Sequence, residues 1–117
     1  MGLEIPFSTL EGKTLTAIEN RGNEIIFTTS DGEKFRQYHD QDCCEVVIVE
    51  DVVGDLEDLI GSEIIAATES SSNTEVDDST TWTFYNIGTI KGWVTIRWNG
   101  NSNGYYSESV SFEKYEP

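Results

Sequence analysis

The chain has 117 residues, with 22 acidic against 7 basic side chains, a formal net charge of −15 and a pI of about 4.1. This length suits one domain over residues 1–117, and 11% aromatic residues exclude a disordered composition. The negative charge excludes direct binding of nucleic acid or anionic membranes, and it favours encounter with a basic partner.

Neither targeting nor membrane insertion is indicated. No apolar run approaches the roughly 20 residues that cross a bilayer. The first residues lack a basic, then apolar, secretory pattern, and Pro6 stands where myristoylation needs Ser or Thr. We expect a cytoplasmic protein.

The first half of the chain predicts four strands. Residues 13–22 form the first, and a hairpin follows, with Ile25–Thr29 and Lys34–His39 around the Asp31–Gly32 turn. The continuous apolar run Val46–Val49 predicts a strand that is buried on both faces.

One short helix is predicted near residues 55–60. Asp55 is a suitable N-cap, Leu56 and Leu59 lie three residues apart, and Gly61 ends the helix.

The second half predicts four more strands. A strand over residues 62–70 leads into a polar loop at 71–80, and a hairpin over 81–100 turns at Lys91–Gly92. A loop over 99–104 precedes the last strand. The fold class is therefore mainly β, a small antiparallel sandwich or rolled barrel of about eight strands.

The two halves show a faint internal repeat, between residues 8–50 and 57–114. It aligns Leu10 with Leu59, Gly12 with Gly61, Leu15 with Ile64, Ala17 with Ala66, Glu45 with Glu108 and Val47 with Val110. A true repeat predicts two similar four-stranded units that share one core, although chance similarity between two β-rich halves is the alternative.

The segment "YHDQDCCE", Tyr38–Glu45, holds the chain's one histidine and both cysteines. A zinc site needs four ligands, and no second ligand pair exists, so we expect neither metal nor cofactor. The surrounding acids disfavour a reactive thiolate. We expect Cys43 and Cys44 to be reduced and to serve as small buried hydrophobic residues before the strand.

The second hairpin is rich in aromatic residues. Alternation places Trp82 and Phe84 on one face, and it separates Trp93 and Arg97 from Trp98. These rings fit ordinary core packing, or a platform on which a nucleotide base stacks while Arg97 binds its phosphate.

The runs "YHDQDCCEVVIVEDVVGDLEDLIGSEI", "TWTFY", "KGWVTIRW" and "NGYYSESV" resemble a family of small uncharacterised domains, found largely in bacteriophages and their bacterial hosts. The resemblance spans about Phe35 to Val110. It implies a phage accessory protein that acts inside a bacterial host cell, and it carries no known activity.

Three functions follow as hypotheses. The first is a non-enzymatic acidic protein that engages and inhibits a basic host protein, such as a nuclease, through acids at Asp40–Asp42, Asp55–Asp58 and residues 75–78. The second is a binding protein for a small nucleotide ligand, and the third is an enzyme that depends on His39 or a metal. The oligomeric state stays open. The residues expected to bind are Tyr38, His39, Asp40, Asp42, Asp55, Glu57, Asp58, Trp93, Arg97, Trp98, Tyr105 and Tyr106.

Overall fold

A computed structural model describes residues 4–75, 79–103 and 107–115. In these ranges the chain forms eight antiparallel strands and two 3-10 turns, η1 and η2. The elements are η1 Phe7–Leu10, β1 Leu15–Asn20, β2 Glu24–Thr29, β3 Lys34–Tyr38, β4 Val46–Val53, η2 Leu56–Leu59, β5 Ala66–Glu75, β6 Ser79–Thr89, β7 Gly92–Ser102 and β8 Ser111–Lys114. The predicted mainly β fold is confirmed.

Two four-stranded sheets make up the sandwich. Sheet I has the strand order β1-β2-β3-β8, and sheet II has the order β4-β7-β6-β5. Because the strands form two separate sheets, the alternative of a rolled barrel is wrong.

Each sheet takes its fourth strand from the other half of the chain. β8 pairs with β3 in sheet I, and β4 pairs with β7 in sheet II. The two predicted four-stranded units are present as the two sheets, and each sheet combines three consecutive strands of one half with one strand of the other. A strand that follows its hairpin crosses to the opposite sheet instead of extending its own.

The segments that open the two halves contact each other reciprocally. The Gly12 N–H donates to the Ile64 carbonyl at 2.8 Å, and the Gly61 N–H donates to the Leu15 carbonyl at 2.9 Å. Both glycines have φ of 86°, a left-handed backbone that favours glycine. The sequence repeat aligns these same residues in pairs, while a common origin of the halves stays a prediction.

Strand alternation directs residues of both sheets into one core. The rings of Phe7, Phe27, Phe35, Tyr85 and Phe112 lie in this core, and Phe35 and Phe112 stack with their centroids 5.7 Å apart. Trp98 lies in the same core and is fully buried.

The strand β4 is buried on one face only. Val47 is 5% exposed, whereas its neighbours Val46 and Ile48 are 54% and 40% exposed. The prediction of burial on both faces is wrong, because in the described parts of the chain no layer covers the outer side of sheet II.

The polar tract predicted as a loop over 71–80 is mostly strand. β5 runs to Glu75 and β6 begins at Ser79, with register pairs from Ala66 with Gly88 to Glu75 with Ser79. β7 likewise extends through Ser102, into the second predicted loop. Ser, Thr and Asn form these ladders because each strand has a partner that fixes its register.

The predicted short helix is confirmed in position. It is the four-residue 3-10 helix η2. The Asp55 carboxylate caps it by accepting from the Glu57 N–H at 3.0 Å. Gly61 follows it with positive φ, as expected for a residue that ends a helix. In the described residues, no helical segment has the length and apolar character of a membrane span.

Candidate functional site

A polar groove of about 500 Å³ lies where the chain enters the two exchanged strands. Its lining comes from the turn before β4 and from the segment before and within β8. The lining residues are His39, Asp40, Gln41, Asp42, Ser107, Ser109 and Ser111. The groove therefore brings together His39, Asp40 and Asp42, three of the residues predicted to bind.

Both ring nitrogens of His39 are engaged in hydrogen bonds. Nδ1 lies 2.7 Å from the Ser109 carbonyl oxygen, and Nε2 lies 2.6 Å from Glu45 Oε2. The carbonyl accepts only, so Nδ1 donates. His39 thus links the end of β3 to the entries of β4 and β8, and neither nitrogen is left to accept a proton from a substrate.

The Glu45 carboxylate is the centre of the turn before β4. It accepts from the Asp42 N–H at 2.8 Å and from the Cys43 N–H at 2.9 Å, and its side chain is fully buried. The hydrogen bond from His39, helped by these backbone donors, lowers the pKa of Glu45 to about 2.

Glu108 is a second buried carboxylate, placed before β8 as Glu45 is placed before β4. It accepts from Ser79 Oγ at 3.0 Å, from Thr81 Oγ1 at 2.6 Å and from Ser102 Oγ. Burial raises the pKa of Glu108, but the three hydroxyl donors together outweigh burial and lower it. Both carboxylates aligned by the repeat are therefore buried anions, one held chiefly by N–H donors and one by hydroxyl donors.

The cysteines differ from the prediction in both burial and redox state. Cys43 and Cys44 form a disulfide, and both residues are exposed. They lie in the turn before β4, where strand alternation does not separate their side chains. The expectation of buried, reduced thiols is wrong.

The acids predicted to bind fall into separate regions. Asp40 and Asp42 are exposed before β4, whereas Asp55, Glu57 and Asp58 are exposed on η2, after β4. The eight residues of β4 therefore separate the two sets. Residues 76–78 lie outside the described residues, as does the side chain of residue 75.

Alternate residues of the four strands form the uncovered outer face of sheet II. On β6 and β7 they are Thr80, Trp82, Phe84, Asn86 and Gly88, and Trp93, Thr95, Arg97, Asn99 and Asn101. On β4 and β5 they are Val46, Ile48, Asp51 and Val53, and Thr68, Ser70, Ser72 and Thr74.

The aromatic prediction is confirmed in placement for part of its residues. Trp82 and Phe84 stack on this face at 6.3 Å and 12° between ring planes, and Trp93 is 63% exposed there. Arg97 stacks on Trp82 at 5.1 Å and lies 3.4 Å from Asp51.

Two other predicted binding residues, Trp98 and Tyr38, do not belong to this face. Trp98 is wrong as a binding residue, because it is fully buried and its Nε1–H donates to Gln37 Oε1 at 2.9 Å. Tyr38 lies on sheet I, where its hydroxyl donates to Glu113 at 3.1 Å. Tyr105 and Tyr106 lie outside the described residues.

Sequence reasoning did not identify the roles of Glu45, Glu108 and Gln37. The alignment of Glu45 with Glu108 was a usable signal, since acids that recur before two strands are unlike solvated surface acids. Gln37 gave no signal, because its position in a strand pattern does not distinguish a buried amide from an exposed one.

No curated protein and no solved structure is significantly similar to the chain. The model of the family described as "Domain of unknown function (DUF7448)" matches residues 8–112, which confirms an uncharacterised domain family, and the chain therefore belongs to that family.

Proposed function

We propose that the protein is a non-enzymatic binding protein whose polar groove receives cationic side chains of a basic partner protein. The groove is the observation that carries the proposal. Asp40 and Asp42 are both exposed on its rim, the serines supply hydroxyl acceptors, and no Lys or Arg of the described chain lines it. Lysine and arginine heads, which only donate hydrogen bonds, match this set of groups.

The distribution of ion pairs supports the same conclusion. Five of the seven basic side chains are paired with carboxylates of the same chain: Lys13, Arg21, Arg36, Arg97 and Lys114. Asp40, Asp42, Asp55, Glu57 and Asp58 have no such partner among the described residues. The field that an approaching protein meets is therefore negative, and it speeds association with a basic surface.

The hydrogen bonds of His39 favour binding over catalysis as the function of the groove. A general base needs a ring nitrogen that is free to accept a proton, and both nitrogens of His39 are already engaged in hydrogen bonds within the chain. More specifically, we propose a phage protein that blocks a nucleic-acid enzyme of a bacterial host. Its support is charge complementarity, since surfaces that bind nucleic acid are basic.

Two variants with equal charge test the role of the groove. Asp40→Asn with Asp42→Asn, and Asp55→Asn with Asp58→Asn, each remove two charges while the side chains keep their shape. The cap of η2 is retained in the second variant, because asparagine is as good an N-cap as aspartate. Partners are captured from bacterial lysate at low and high salt, and the affinity of a purified captured partner is then measured for each variant.

We expect the groove variant to weaken binding at least fivefold and the η2 variant to change it less than twofold. High salt should weaken wild-type binding as well. Equal effects of the two variants would assign binding to net charge alone, and salt-independent binding would reject the proposal.

A further inference from the structure

The outer face of sheet II is almost free of acids, although 22 of the 117 residues are acidic. Asp51 is the one acid among the alternating positions that define the face, where it is paired with Arg97, and exposed Glu50 lies next to it at the irregularity of β4. The face is therefore close to neutral on a strongly negative protein. This charge pattern disfavours an ionic ligand and suits a neutral one.

The aromatic rings of this face follow β6. Three carbons of the Trp93 indole lie 3.1 Å from the position that a Cβ on Gly88 would occupy, so the ring covers that glycine. Trp82 and Phe84 lie on the same strand, with their ring planes 12° apart and their centroids at 6.3 Å. From position 82 to position 88 the strand rises about 20 Å. The result is a row of aromatic rings along the strand rather than a single pocket.

Hydrogen bonds between side chains orient the polar groups beside the rings. Thr95 donates to Asn86 Oδ1 at 2.7 Å, and Asn101 donates to Asn99 Oδ1 at 2.6 Å. These contacts fix the amide planes, and among the described residues Asn86 Nδ2 and Asn99 Nδ2 have no protein acceptor. Two oriented amide donors thus flank the row of rings.

From this geometry we propose that the outer face of sheet II binds a neutral oligosaccharide. The apolar faces of sugar rings stack on Trp93 and contact Phe84 and Trp82 beside the Arg97 guanidinium, and their hydroxyl groups accept from Asn86 and Asn99. A sugar chain has the extended form and the mixed apolar and hydroxyl surface that this row matches.

Two other occupants fit the face less well. A nucleotide brings a phosphate into the field of a −15 protein, where Arg97 is already neutralised by Asp51. A second copy of the chain would bury rows of Ser, Thr and Asn, whereas the cores of homodimer interfaces are apolar. The proposed site is also separate from the polar groove, so it goes beyond the function proposed above.

An array of neutral and anionic glycans, probed with the full chain, tests the proposal. The affinity of the strongest neutral glycan is then measured by calorimetry for the wild type, Trp82→Ala, Trp93→Ala and Gly88→Val. Gly88→Val keeps Trp93 but displaces its ring. Ile90→Ala is the matched control, since Ile90 is 85% exposed but lies in the turn beyond the face. Far-ultraviolet circular dichroism confirms that each variant is folded.

We expect a neutral glycan to bind, with a loss of roughly tenfold in each face variant and less than twofold in Ile90→Ala. The proposal is overturned if no neutral glycan binds at millimolar concentration, or if Trp82→Ala and Trp93→Ala leave binding unchanged. It is also overturned if AMP or cyclic AMP binds more tightly than every neutral glycan, or if light scattering shows a dimer that Trp93→Ala dissociates.

Discussion

Glu45 makes the stability of the protein depend on acid pH. Its pKa is near 4.5 in an unfolded chain and about 2 in the folded protein. Between these values the unfolded chain binds a proton that the native state does not, so acidification favours unfolding. Stability from this carboxylate is complete above pH 4.5 and is lost as the pH falls toward 2.

We expect Glu45→Gln to lower the urea midpoint at pH 7 and to flatten its decline between pH 4.5 and 2. Urea unfolding at half-unit pH intervals measures both effects. A slope remains from Glu108, whose pKa is also lowered by the fold. Glu50→Gln is the control, because Glu50 is exposed at the irregularity of β4. A variant that keeps the full wild-type slope would contradict the assignment.

Trp98 and Gln37 form a hydrogen-bonded pair in the core that leaves one buried polar atom without a partner in the described chain. Both side chains are fully buried, Gln37 Oε1 accepts from the indole N–H, and Gln37 Nε2 has no partner in the described chain. We expect Trp98→Phe to lower the free energy of unfolding by about 2–4 kcal/mol, because it leaves a void and an unpaired amide oxygen.

Adding Gln37→Leu to Trp98→Phe should recover part of this loss, since the double variant removes the unpaired amide altogether. Urea unfolding of the two single variants and the double variant measures the coupling. Strict additivity of the two changes would show that the side chains do not interact.

Residue identity predicted some of the site and not the rest. The exposure of Asp40, Asp42 and Trp93 was predictable because acids and alternating aromatic residues have clear patterns, while their role in binding stays a prediction. Trp98 was assigned wrongly, because alternation gives two faces and does not say which one the opposite sheet covers. His39 was identified as notable, but its two partners come from residues six and seventy positions away.

At the scale of elements, the two glycine turns that open the halves are equivalent. Gly12 and Gly61 share a φ of 86°, and a Cβ at either position meets nothing closer than 4.0 Å. The cost of a side chain there comes from backbone conformation alone. We expect Gly12→Ala and Gly61→Ala each to destabilise the protein by about 1–2 kcal/mol.

Thermal unfolding of the two glycine variants measures this prediction. A conservative surface change such as Ser8→Ala gives the baseline, since Ser8 is exposed in η1. Similar losses at both glycines support the shared left-handed backbone, and a loss at one position only would contradict it.

Strand positions were largely predictable, whereas strand partners were not. The Asp31–Gly32 and Lys91–Gly92 turns predicted both hairpins correctly, because turn residues specify the pairing of neighbouring strands. The Ser-rich and Thr-rich arm of β5 resembled a loop in composition, and only its long register with β6 makes it a strand. The exchange of β4 and β8 is a long-range choice that periodicity does not encode.

At the scale of the whole molecule, net charge sets the response to salt. The principal extents are 43 × 31 × 21 Å. The Debye length is about 30 Å at 0.01 M salt and about 8 Å at 0.15 M, so repulsion spans the molecule only at low salt. We expect the melting temperature to rise as sodium chloride increases over this range.

Differential scanning calorimetry at several salt concentrations checks this expectation. The Asp55→Asn and Asp58→Asn double variant should show a smaller rise, because it carries less negative charge. A melting temperature that falls with salt would mean that the internal ion pairs outweigh the repulsion.

Because the fourth strands are exchanged, neither half of the chain contains a complete sheet. Residues 4–54 hold three strands of sheet I and one strand of sheet II, so one copy alone completes neither sheet. Two copies placed as the halves are placed would complete both sheets by each donating its last strand. The fold is thus the single-chain equivalent of a strand-swapped dimer, in which neither half completes a sheet by itself.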